Sequence, residues 1–439
     1  MTYAPLARQS SDASYNGERL VNYIAHPSST FAPLALLGRE GLEEIHRIGN
    51  VTAMLSTERA LYVVAGGALW EAMPGEIKRL GSVSEGVATM AASHNQVAVV
   101  AGGVYWLYDG NELSQYETGS IDVPRGVIFR EGYFVVWGES LGREDGIQPS
   151  QPGDGKTFNA LDIVFAELAG DAIVSCVSAF DRIWAVGTRT IQFFTNQGTY
   201  PGPFRPTVGT SIGVGCSIGP TVAAGTDGLY FVGEDSRIYA TQGIAPREIG
   251  TPELYSVLGE IEDAFIYTER GHRFYVIVQK NGPSFAYDKI TGLWSERTTG
   301  VNEGRWIAHN AVEWRGDTYF GTGSGISISR PDLFTDNGEV IVAEVVTPPI
   351  ENAGQPFRIK LLDIVFATGE HDIGREGEVT LEKSQDGRTW GTPQGRYLGR
   401  LGDYRNRTRW HSLGRFIRAQ FRVRITDEIC RDINGAAYE

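Results

Sequence analysis

This chain of 439 residues has little of what cross-linking, metal binding or membrane insertion would need. It holds three cysteines, Cys176, Cys216 and Cys430, far apart and odd in number. That excludes a disulfide framework and points to folding under reducing conditions. No Cys-x-x-Cys occurs, and the seven histidines (His26, His46, His94, His272, His309, His371, His411) are scattered without metal-ligand spacing. Neither a metal nor a cofactor is therefore expected. Charged residues make up only 21%, and the basic ones are the scarcer: 39 Lys and Arg against 53 Asp and Glu, for a net charge of −14. Such a balance argues against a freely diffusing nucleic-acid binder. Long apolar runs are also missing, so no membrane anchor is expected. The opening residues MTYAPLARQSSD lack the basic and apolar regions of a signal peptide.

Glycine and aromatic residues are abundant instead, with 55 Gly, 9 Trp, 19 Tyr and 19 Phe. Together they imply many tight turns between short strands. The strongest pattern is an internal repeat. Val63-Val64-Ala65-Gly66-Gly67-Ala68-Leu69-Trp70 recurs as Val99-Val100-Ala101-Gly102-Gly103-Val104-Tyr105-Trp106, and Tyr133-Phe134-Val135-Val136-Trp137-Gly138 follows at the same step. Looser copies centre on Val186, Val232, Ile277 and Phe320, each led in by a polar turn. Anchors at 64, 100, 136, 186, 232, 277 and 320 are spaced by 36, 36, 50, 46, 45 and 43 residues. About seven β-rich units at this period predict an all-β protein built on a β-propeller. The 36-residue steps look short for four strands and suggest trimmed first blades.

The repeat occupies 51–335. After it, Asp336-Asn337-Gly338 reads as a turn, Pro348-Pro349 breaks a strand, and longer alternating strands follow, ending in Ala419, Phe421, Val423 and Ile425 interleaved with arginines. Residues 336–439 are read as an accessory antiparallel β-sandwich domain, with 1–50 packing on it. Helix is expected mainly over Pro252–Asp263, where Thr251 can cap and Pro252 suits the first turn. Leu34–Ile48 offers a helical turn or two, weakened by Gly38 and Gly41.

Most motifs that could carry chemistry lack their context. Gly209-Thr210-Ser211-Ile212-Gly213 and Gly215-Cys216-Ser217-Ile218-Gly219 match a nucleophile elbow, but no strand-to-helix turn surrounds them. Gly155-Lys156-Thr157 lacks the first glycine of a phosphate loop. Ser384-Gln385-Asp386-Gly387-Arg388-Thr389-Trp390 resembles an aspartate box one residue short, and reads better as a two-residue Asp386-Gly387 hairpin. No catalytic residue is assigned. What does stand out is charge. Between Arg396 and Arg424 lie nine arginines (Arg396, Arg400, Arg405, Arg407, Arg409, Arg415, Arg418, Arg422, Arg424), with Asp403 the one acid and no lysine. The window carries +8, which leaves −22 for the rest of the chain. Arginine forks suit carboxylate or phosphate, so this window is the candidate interface with subunits or an adaptor; the plain alternative is a solvated sheet face.

The order of features resembles the tail hub, or nozzle, proteins of short-tailed bacteriophages, the packaged-DNA stabilisation family. The likeness rests on Arg19-Leu20-Val21-Asn22-Tyr23, on Ala32-Pro33-Leu34-Ala35-Leu36-Leu37-Gly38-Arg39-Glu40-Gly41-Leu42, on Arg182-Ile183-Trp184-Ala185-Val186-Gly187-Thr188-Arg189-Thr190-Ile191, on Gly215-Cys216 and on Leu413-Gly414-Arg415-Phe416-Ile417-Arg418. Glu40-Gly41 stands where the family usually has Pro-Gly. The resemblance implies a non-enzymatic virion protein, assembled in the bacterial host cytoplasm. It would form a hexameric ring below the portal-adaptor, pass double-stranded DNA without reading its sequence, help retain packaged DNA and anchor tail fibres or spikes. The alternative is a propeller that binds or cleaves glycans.

Overall fold

The computed structural model describes residues 18–28, 34–167, 169–226, 228–367, 377–400, 402 and 407–439. Its propeller has seven antiparallel sheets: blade 1 (51–82), blade 2 (88–115), blade 3 (123–165), blade 4 (173–212), blade 5 (223–248), blade 6 (261–297) and blade 7 (308–330 with Gly41–Arg47). First strands of successive blades are neighbours around a closed ring, blade 4 reaching blade 5 through the short turn Gly219–Thr221. All seven repeat anchors fall in second strands, such as Leu61–Ala65, Val97–Ala101 and Gly228–Val232. These three strands are buried along their whole length. A second strand is covered on both faces by adjoining blades, which is why it reads as an unbroken apolar run rather than an alternation. Each fully buried Val, such as Val63 or Val99, contributes on the order of 1.5–3 kcal/mol.

The first two blades are not trimmed. Blade 1 fits four strands into 51–82 because its second and third strands join through Gly66-Gly67, both at positive φ (55° and 68°). Gly102-Gly103 does the same in blade 2 (57° and 76°). Such mirror-image turns match strand twist and need only two residues.

Blade 7 takes three strands from 308–330 and its outermost strand, Gly41–Arg47, from the other end of the chain, antiparallel to Gly325–Arg330. The expectation that all of 1–50 lies on the sandwich is corrected here: the propeller needs this strand to complete its ring, whereas Arg19–Val21, Tyr23–Pro27 and Leu34–Gly38 do join the sandwich. The helical reading of 34–48 also gives way to these strands. Gly41 is fixed by close approach: an added Cβ would lie 2.5 Å from the carbonyl oxygens of Leu333 and Thr335. The hairpin at Asn337-Gly338 forms, but its strands Thr335–Asp336 and Glu339–Val340 extend the sheet of blade 7, so that sheet runs past 335.

Two sheets make the sandwich. One orders Arg19–Val21, Ala343–Val346, Arg418–Ile425, Glu378–Ser384 and Gln394–Tyr397. The other orders Tyr23–Pro27, Leu34–Gly38, Ile433–Tyr438, Phe357–Phe366 and Arg407–Phe416. Trp410, Phe421, Ile359, Val423, Leu20 and Tyr23 pack between them. Arg19–Val21 also pairs parallel with Leu293–Arg297 of blade 6, so one sheet of ten strands runs from propeller into sandwich. The helix is shorter than expected, Pro252–Val257, with Thr251 Oγ1 accepting from Leu254 N at 3.3 Å. Ile261 already begins the first strand of blade 6.

Candidate interface and the domain junction

The alternation of Arg407–Phe416 and Arg418–Ile425 sends their apolar residues inward and their arginines outward, but from opposite sheets. The nine arginines therefore do not form one surface. Arg407 and Arg409 both reach Asp363 at 3.2 Å. On the other side of the sandwich, Arg418 pairs with Glu351 at 3.3 Å and Arg424 with Glu303 of the propeller at 2.8 Å. Arg422 pairs with Glu382 at 2.5 Å and lies 4.6 Å over the Trp390 ring. Arg396 sits at the sheet edge and donates to the carbonyl oxygens of Gly395 (2.8 Å) and Arg409 (3.2 Å). Arg400 follows that edge strand, and Arg405 and Asp403 lie outside the described residues. Arg415 is exposed and stands directly opposite Arg358 in the ladder. Like charges at that spacing repel. Neither has an ion-pair partner among the described residues. Arg358 and Lys360 lie outside the arginine window, but they share its outward face; their alternation with Phe357 and Ile359 was the available signal.

A second concentration of charge is buried where sandwich meets propeller. Arg39 and Asp336 form a two-point ion pair, with side chains 1% and 0% exposed. Arg39 Nε donates to Asn22 Oδ1 at 2.8 Å, and its remaining N–H groups reach the carbonyl oxygens of Glu40 and Thr298. All five donors are used. Burial works to lower the Arg39 pKa, but Asp336 more than offsets it and holds the guanidinium above its ordinary value. Arg19 bridges Glu296 (2.7 Å), Glu303 (2.6 Å) and Glu344 (3.0 Å). His26 of the sandwich meets His272 of blade 6 at 2.8 Å, and His272 meets Asp288 at 2.8 Å. Beside them, a cavity of about 320 Å³ is lined by Arg39, Arg270, Phe334, Arg431 and Asp432 among others. Burial, then the neighbouring Arg39, push Arg431 down to about 10.

The remaining motifs take structural roles. Ser211 lies in the edge strand Phe204–Ile212, and Ser217 donates to the Gly233 carbonyl at 2.9 Å. Cys216 is buried, and burial raises its thiol pKa. Gly155-Lys156-Thr157 sits inside the strand Asp154–Phe158, with Lys156 held by Asp109 at 2.7 Å. Asp386-Gly387 is not a two-residue turn: the strands Glu378–Ser384 and Gln394–Tyr397 are joined by residues 385–393. The Asp386 carboxylate accepts from the backbone N–H groups of Arg388 and Thr389, which hold its pKa below the ordinary range. Among the described residues, no group of three His, Cys, Asp or Glu could hold a metal ion, and no helix is long and apolar enough to cross a membrane.

No curated protein matches the chain. Among solved structures, it is similar to PorZ of Porphyromonas gingivalis, described as an essential surface component of the type-IX secretion system, at 11% identity and TM-score 0.40. That match covers 73% of this chain and 44% of PorZ, so the chain spans less than half the length of that protein. YCF48 bound to D1 peptide matches at 12% identity and TM-score 0.44, over 66% of this chain and 96% of that one. BamB from Moraxella catarrhalis matches at 10% identity and TM-score 0.42, over 66% and 97%. Two family profiles match, both described as bacteriophage P22 Gp10: a beta-propeller over residues 5–325 and a beta-sandwich over residues 343–439. With both parts matched over nearly its whole length, the chain belongs to the bacteriophage P22 Gp10 family of phage tail-associated structural proteins.

Proposed function

We propose that this chain is the hub, or nozzle, subunit of a short phage tail. Six copies form a ring below the portal-adaptor, continue the DNA channel, help retain packaged DNA and anchor fibres or spikes. Its work is structural, without a catalytic step. The observation that carries this reading is the charge division within one chain: −22 outside the 396–424 window and +8 within it, with the exposed part of that positive charge on a sheet turned away from the sandwich core. A wall that passes DNA quickly must not collect phosphate contacts, because each neutralised phosphate adds affinity through counterion release. An acidic wall keeps the duplex sliding, and the arginines are then left for protein contacts. Imaging of purified protein and of virions tests this. Rings of about six copies with a predominantly acidic lumen are expected; a basic lumen or a monomer inside the particle would sink the proposal.

A further inference from the structure

One surface of the sandwich carries more positive charge than the acids among the described residues answer. On the outward side of Phe357–Phe366 and Arg407–Phe416 stand Arg358, Lys360, Arg407, Arg409 and Arg415. Asp363, buried beneath Arg407 and Arg409, answers those two, and Glu439 lies 3.8 Å from Lys360. Arg358 and Arg415 face each other across the ladder without an acid. Ile417, 57% exposed, follows in the chain.

The propeller presents the opposite character at one end of blades 1 to 3. In a four-stranded up-and-down blade, the second turn and the link to the next blade share one end of the sheet. Val87 (72% exposed) and Glu85 lie on the link after blade 1, Asp122 ends the link after blade 2 with Val123 opening the first strand of blade 3, and Leu141 (87% exposed) and Glu144 lie at the second turn of blade 3. They are contiguous. The Glu85 carbonyl oxygen and the Val123 side chain border the turn Gly102-Gly103, and Leu141 N donates to Asp122 Oδ2 at 2.9 Å. Three exposed aliphatic side chains beside Glu85, Asp122 and Glu144, the last of these paired with Arg125, make a patch that single scattered apolar residues do not.

Among the described residues, no ion pair joins the two surfaces within one chain. The sandwich is fused to blades 6 and 7, through Arg19–Val21 and the strands around Gly41–Arg47, whereas the acidic patch spreads over blades 1 to 3, which follow blade 7 around the ring. We infer that the Arg358–Arg415 face of one copy docks on the Glu85–Glu144 end of blades 1 to 3 of a second copy. The contact joins two different surfaces, so repetition is head-to-tail, and it closes as a ring when the rotation from copy to copy completes a circle. This inference rests on the ring reading above and names the surfaces that build it.

Reciprocal charge reversal tests it. One variant carries Arg358→Glu with Arg415→Glu; the other carries Glu85→Lys with Glu144→Lys. All four side chains are exposed, and a thermal melt matching the unmodified chain confirms that each variant folds. Mass photometry across a concentration series then reads assembly. Each variant alone should need a roughly hundredfold higher concentration to assemble, because opposed like charges are strongly disfavoured at an interface. An equimolar mixture should recover rings in which the two variants alternate, since every junction in such a ring is again complementary. Undiminished assembly by either variant alone, or no recovery in the mixture, overturns the proposed interface while leaving the ring itself in place. Loss of DNA or adaptor binding with rings intact overturns it too. An unmodified chain that stays monomeric at every concentration defeats the ring reading instead.

Discussion

Arg39 and Asp336, 297 residues apart in sequence, are joined by two hydrogen bonds at a point sealed from solvent by both domains. Removing one partner leaves the other charge buried and unanswered, which costs about 3–5 kcal/mol. Asp336→Ala should therefore lower the urea midpoint far more than a typical surface change. Arg39→Met combined with Asp336→Leu should recover much of that loss. Equal losses in the single and double variants would show that packing, rather than charge, sets the effect.

Asp263, on the first strand of blade 6, is half-buried, and its desolvation pushes its carboxyl up to about 7. In the unfolded chain the same group titrates near ~3.9. The folded state thus holds the proton more tightly, so its contribution to stability is present at low pH and is lost as pH rises from ~4 to ~7. Asp263→Asn, which mimics the protonated form, should be more stable than the parent at pH 8 by on the order of 2–4 kcal/mol and nearly equal to it near pH 4. Denaturant titrations of both proteins at several pH values give the difference; a constant difference would refute the assignment.

The turn between the first two strands of blade 4 is made by Phe180 and Asp181, at φ 50° and 60°. Such a mirror-image turn is strained for residues with a Cβ, and glycine relieves it. Asp181→Gly should raise stability by about 1 kcal/mol, even though it deletes the outer ion pair with Arg130 at 3.4 Å, since exposed pairs contribute little. A lowered melting temperature would contradict this.

Reversing Arg418 and Arg422 together is expected to impair ring assembly. The pairing of Arg418 with Glu351, and of Arg422 with Glu382 beneath Trp390, adds a second effect: this variant should also weaken the sandwich, by about 1–2 kcal/mol. Monitoring Trp fluorescence during unfolding separates the two effects. Normal assembly by a stable double variant would count against any role for this face.

Seven second strands were legible because each must be apolar on both faces and is followed by a turn glycine or a polar pair. Outer strands such as Leu113–Gln115 left no such mark, since they are half solvated and short. Gly41–Arg47 was unreadable for a different reason. Its partner Gly325–Arg330 lies more than 270 residues away, and no local periodicity announces a long-range pairing. The arginine window was legible as charge but not as geometry. One ladder carries Arg407, Arg409 and Arg415 outward, the next carries Arg418, Arg422 and Arg424 to the opposite side, and Arg358 joins the first set from outside the window. The alternation from Ala419 onward did foretell the burial of Phe421, Val423 and Ile425.

The clasp of Gly41–Arg47 against Gly325–Arg330 also sets an order of events during synthesis. At roughly 5–20 residues per second, the strand emerges from the ribosome about 15–60 s before the segment it must pair with. Until then blade 7 has no outer strand, and the hairpin of Tyr23–Pro27 and Leu34–Gly38 waits longer still for Ile433–Tyr438, the neighbour of Leu34–Gly38 in the second sandwich sheet. The basic face of that sheet consequently comes into being only when the C-terminal strands arrive, so on the inferred docking a nascent chain would have no complete surface to offer a finished one. If the copies dock as inferred above, assembly would be held back by the path of the chain itself until each subunit is whole.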